Sequence, residues 1–126
     1  MLRSVKLYGT TDDGTGGDLS VTFDHKVVGI LKAVHWIDGS FTDGVDAVIS
    51  ISGDGDEADT TLLTLTDANS DAWYYPKLLA CTAVGVDLDT AGDAQYEEMI
   101  VSGNLKLVVA DGGATKTGGC IVYYEA

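Results

Sequence analysis

Tyr96-Glu97-Glu98-Met99-Ile100-Val101-Ser102-Gly103-Asn104-Leu105-Lys106-Leu107-Val108-Val109 decides the fold class. Apolar residues alternate with polar ones through Leu105-Lys106-Leu107, and β-branched residues crowd both sides of Gly103-Asn104. That pattern has the period of a half-buried strand and not of a helix. Two strands are expected here, Glu97 to Ser102 and Leu105 to Ala110. Downstream, Gly118-Gly119-Cys120-Ile121-Val122-Tyr123-Tyr124-Glu125 reads as a glycine turn followed by a strand from Cys120 to Glu125.

The same period continues upstream. Strands are expected over Leu2 to Tyr8, Leu19 to Phe23, Val27 to Ile37, Val45 to Ser52, Thr60 to Thr66 and Leu78 to Val84. No stretch holds apolar residues at helical spacing, and Asp13-Gly14, Asp38-Gly39, Asp43-Gly44 and Asp54-Gly55 punctuate the strands as turns. The fold class is therefore all-β: a two-sheet antiparallel sandwich, jelly-roll-like with an immunoglobulin-like arrangement as the alternative, in a single domain over residues 1–126. Val45 to Ser52 and Leu19 to Phe23 alternate cleanly and have one wet face. Val27-Val28-Gly29-Ile30-Leu31 and Leu78-Leu79-Ala80-Cys81 are apolar on both faces, so another strand, a loop or a second subunit is expected to cover them.

Twenty acidic residues against seven basic ones leave a net charge of −13. Such a surface repels phosphate backbones and anionic membranes, so neither nucleic acid nor a membrane is an expected partner. Met1-Leu2-Arg3-Ser4 runs straight into a strand and gives no expectation of a signal peptide. With 45% hydrophobic residues spread evenly, the chain has enough apolar side chains to fold despite its charge.

Few residues offer chemistry. Cys81 and Cys120 both lie in apolar strands and read as buried free thiols, with a bridge as the competing arrangement if their strands are neighbours. Ser52-Gly53-Asp54-Gly55-Asp56-Glu57-Ala58-Asp59 and Asp87-Leu88-Asp89-Thr90-Ala91-Gly92-Asp93 are oxygen-rich, yet neither has the ligand alternation of an EF-hand, and both read as solvated loops. His25 and His35 stand in no metal or nucleophile motif, and alternation puts His35 on the face opposite Trp36. No catalytic residue, cofactor or metal ligand is expected, and the chain is not expected to be an enzyme. Trp73-Tyr74-Tyr75, closed by Pro76, supplies the candidate contacts. Rows of aromatics stack on sugars in some β-sandwich modules, but neighbours on a strand point to opposite faces, so core packing together with a subunit or capsid contact is the preferred use.

The Tyr-Tyr-Pro step, the Gly-Asn-Leu-Lys-Leu-Val-Val strand, the glycine-rich turn and the terminal Val-Tyr-Tyr-Glu resemble the carboxy-terminal half of small virion proteins of tailed bacteriophages, especially capsid decoration or cement proteins. The resemblance implies a sandwich on the outside of a phage head, bound to the major capsid protein and to itself as a dimer or trimer. It would assemble in the host cytoplasm and stabilise the shell. A head-fibre or tail component and a carbohydrate-binding module are the alternatives.

Overall fold

The computed structural model describes residues 1–53, 59–79, 85 and 96–126. Ten strands run in chain order: β1 (Leu2–Thr10), β2 (Leu19–Thr22), β3 (Val27–Ile37), β4 (Asp46–Ser52), β5 (Thr60–Leu65), β6 (Ala72–Tyr74), β7 (Lys77–Leu79), β8 (Tyr96–Glu98), β9 (Ile100–Ala110) and β10 (Thr117–Glu125). No helix occurs among the described residues, and all strand pairs are antiparallel. The large sheet has the order β1-β10-β3-β9-β4-β5, with β2 also on β9 and β6 also on β3, while β7 and β8 form a small sheet of their own.

Strand β9 divides the large sheet into two halves. Its residues Ile100 to Gly103 pair with Ile30 to Val27 of β3, whereas Asn104 to Ala110 pair with Ser52 to Asp46 of β4. One half is therefore β1-β10-β3 with β6, and the other is β2-β9-β4-β5. Both send their inward residues into one core. Val5, Leu7, Leu31, Val34, Trp36, Cys120 and Val122 from the first half join Ala47, Ile49, Ile51, Leu65, Leu105, Leu107 and Val109 from the second. Trp36 is the largest fully buried side chain, and its indole N–H donates to the carbonyl of Ala68 at 3.0 Å, so no polar atom of the ring is left unpaired.

The expected break at Gly103-Asn104 is absent, and β9 runs through it as one strand of 11 residues. Gly103 makes the passage between halves feasible. Its φ is +143°, and a Cβ built there would lie 1.9 Å from the carbonyl oxygen of Ser52. Only glycine fits such a close approach of two backbones.

Gly118 and Gly119 also correct the sequence reading. They are not a turn, because both lie inside β10, opposite Gly9 and Tyr8 of β1. A Cβ on Gly118 would stand 2.6 Å from the ring of Phe41, so crowding and not chain reversal requires the glycine. The strand expected over Leu78 to Val84 is described only as the short β7, and residues 80–84 lie outside the described residues. Trp73 and Tyr74, just ahead of Pro76, form β6 along one end of β3.

At one end of the sheet the loops interlock. The Thr11 hydroxyl donates to the carbonyl of Gly113 at 2.6 Å and accepts from the Lys116 amide at 2.8 Å, which satisfies a side chain that is almost wholly buried. Gly112 N–H donates to Gly17, and Thr42 N–H donates to Gly112. These loops hold much of the acid: Asp12, Asp13, Asp18, Asp43 and Asp111.

Candidate functional site

Cross-strand partners share a sheet face, so the register of the first half fixes what its outer side displays. One row reads Lys6, Ile121, His35, Trp73 across β1, β10, β3 and β6. Another reads Leu2, Glu125, Ile30, Ile100 across β1, β10, β3 and β9. Alternation along each strand adds Tyr8, Val28, Ala33, Ile37 and Tyr123 to the same side.

Trp73 organises the aromatic end of this face. Its indole lies on the His35 imidazole with ring centroids 4.2 Å apart and planes 2° from parallel, and Tyr123 packs at 5.4 Å and 29°. Ala33 lies on this outer side opposite Tyr123 and is nonetheless only 7% exposed. Lys6 places its ammonium 4.5 Å from the centre of the Tyr8 ring, a cation–π contact.

The candidate contacts separate. Trp73 is 49% exposed on the face, Tyr75 is 64% exposed just beyond β6, and Tyr74 turns inward against the core. His35 and Tyr123 join Trp73, although neither was singled out as a contact. Alternation alone could have placed His35 outward, since Trp36 beside it is buried. The aliphatic end is open at Val28, 57% exposed, and Ile100, 82% exposed, while Ile30 beside them is half-buried.

Charge on this face is balanced locally. The Lys32 ammonium contacts Glu98 at 2.7 Å, and the Met1 ammonium contacts Glu125 at 2.7 Å. The Glu98 carboxyl is held below its ordinary range, first by the hydrogen bond from Lys32.

Other groups offer little chemistry. Cys120 is a free, buried thiol whose pKa burial pushes up to about 12, so it stays protonated and unreactive in the folded chain. Cys81 and the acidic stretches at 54–58 and 86–93 lie outside the described residues. Among the described residues no three His, Cys, Asp or Glu side chains converge closely enough to hold a metal ion. An open depression of about 450 Å³ is lined by Asp12, Asp18, Leu19, Ser20, Val108, Val109 and Ala110. The Asp12 carboxylate there accepts the amides of Gly14 and Asp18 and so shapes its own loop.

No protein-family model, curated protein or solved structure matches the chain.

Proposed function

We propose that the chain is a structural virion protein that decorates the outside of a bacteriophage head and stabilises the shell by contact with the major capsid protein and with itself. The observation that carries this reading is the segregated surface. A largely apolar, aromatic face on which Glu98 and Glu125 are each paired with a cation stands on a molecule that is otherwise strongly acidic. Faces of that kind are covered by macromolecules, since a small ligand needs a concave pocket to bury most of its surface. In this reading the folded-over sheet is a two-layer sandwich, jelly-roll-like or immunoglobulin-like in its connections, and the two halves that share one core support the two layers. Its place is the capsid exterior, reached by assembly in the host cytoplasm, and it performs no reaction.

Sedimentation with expanded, empty heads tests the proposal. Saturable binding that displays one copy or more per capsomer is expected, together with a rise in the temperature at which the heads disrupt. Failure to bind any head shell would remove the capsid role. A handful of copies per particle would identify a head-fibre or tail component instead.

The ring geometry argues against a sugar platform. Parallel rings with centroids 4.2 Å apart lie one over the other, whereas a pyranose platform needs rings side by side with their faces free. His35 occupies a face of Trp73 that a sugar would use.

A further inference from the structure

We infer that the outer face of β1-β10-β3-β6, with the first residues of β9, is a self-association surface on which a second copy of this chain packs the same face. The inference deepens the assembly reading and rests on it for the premise that this face is covered.

Size is the first support. Strands β1, β10 and β3 make three rows, and β6 with the start of β9 makes a fourth along β3. Four rows spaced about 4.8 Å apart and roughly nine residues long make a surface of about 600 Å² in projection, before side-chain relief is added. A standard protein interface takes about 800 Å² from each partner, so this face matches it in scale. Of the large hydrophobic residues left exposed among the described residues, Leu2, Tyr8, Val28, Trp73 and Ile100 lie here, and Val108 alone lies on the outer side of β2-β9-β4-β5.

Charge selects the occupant. Two chains of net charge −13 repel each other, and most approaches bring carboxylates against carboxylates. On this face the acids Glu98 and Glu125 are each joined to a cation of the same chain, and Lys6 lies over the Tyr8 ring with no acid among the described residues joined to it. It is the side on which two copies can meet without opposing acidic loops. A two-fold contact also requires a patch that complements itself. The Met1–Glu125 and Lys32–Glu98 pairs each carry both signs, so a second copy rotated onto this face meets neither as a bare carboxylate.

Sedimentation equilibrium of the full chain, without capsids, tests the inference. A species of twice the chain mass is expected. Val28→Lys with Ile100→Lys should raise the dissociation constant about thirtyfold or more by burying charges in the contact. Both positions are largely exposed, so the variant is expected to keep the far-UV spectrum and melting curve of the folded monomer. Val108→Lys, on the opposite face, should leave the dimer intact. A wild-type chain that stays monomeric at every concentration would overturn the inference. So would a trimer, a dimer indifferent to the double substitution, or one dissociated equally by Val108→Lys. Since no shell is present, a dimer that binds no capsid would leave this interface standing and remove only the capsid role.

Discussion

The two outer faces of the large sheet are built from the same strand geometry and end with opposite surfaces. On β2-β9-β4-β5 the outward residues are Ser20, Thr22, Lys106, Val108, Asp46, Val48, Ser50, Thr61 and Thr64, most of them carrying a hydroxyl or a charge. Threonine combines the β-branched shape that suits a strand with an oxygen that suits water. On β1-β10-β3-β6 the corresponding positions carry Leu2, Ile121, Tyr123, His35, Ile37 and Trp73, with Ser4, Lys6, Thr10, Thr117 and Glu125 as the polar residues among them. A strand needs one buried face to fold, and the second half stops there. The first half adds an outer face with exposed Leu2, Tyr8, Val28, Trp73 and Ile100, and that excess is what the proposed self-association would cover.

The comparison is broken most completely from inside. Leu107 lies directly beneath the polar face, fully buried and opposite Ile49. Leu107→Asp or Ile49→Asp should cost several kcal/mol, because an unpaired carboxylate in that core has no water and no cation. Loss of the cooperative urea transition is the expected result, and both outer faces should vanish together. A variant that still unfolds cooperatively near the wild-type midpoint would show that the two halves do not share one core.

The hinge between the faces is next. Gly103→Ala places a methyl 1.9 Å from the Ser52 carbonyl oxygen at a φ of +143°, so β9 must shift away from β4 or abandon that backbone conformation. A loss of about 1–3 kcal/mol in urea denaturation is expected. An unchanged midpoint would mean that β9 does not need glycine to pass from one half to the other.

How much of this was legible in the sequence divides along the same line. Alternation is local, so inward and outward positions within Val45 to Ser52 or Leu105 to Ala110 could be read directly, as could the placement of His35 opposite Trp36. Pairing is not local. That His35 meets Trp73 and Tyr123 depends on β6 and β10 flanking β3, and nothing along the chain announces those neighbours. Glycine misled for a related reason. The residue that permits a turn also permits two backbones to touch, so Gly118-Gly119 looked like a reversal and lies inside a paired strand. Val27–Leu31 carries apolar residues on both sides, and on its outer side Val28 is exposed while Ile30 is half-buried.

A smaller effect separates the faces by what each contributes to folding. Trp73→Ala removes a stacked pair that is partly exposed, and a loss of about 1 kcal/mol in thermal unfolding is expected. Thr64→Ala, outward on the polar face, should stay within about 0.5 kcal/mol of wild type. Association sharpens the contrast: the first substitution should weaken the dimer and the second should not. Equal effects on association would mean that the aromatic end takes no part in it.

The smallest effect lies where the apolar face gives way to the acidic loops. Asp38 follows Ile37 at the end of β3, and its amide donates to the Asp71 carboxylate at 2.8 Å. Its Oδ1 is buried without a hydrogen-bond partner. Burial first, then the charges of Asp71 and Asp43, raise its pKa above the ordinary 3.8. An acid raised in this way keeps its proton to higher pH in the folded chain than in the unfolded one. The stability it contributes is full below 3.8 and is lost as pH rises through the folded-state value. An amide at this position has no proton to lose and no charge to set against Asp71 and Asp43. Asp38→Asn should therefore melt slightly higher than wild type at neutral pH and show a flatter dependence of melting temperature on pH in the acid range. Parallel profiles for the two proteins would mean that Asp38 titrates alike in the folded and unfolded chains, and that the boundary between the two surfaces carries no electrostatic strain.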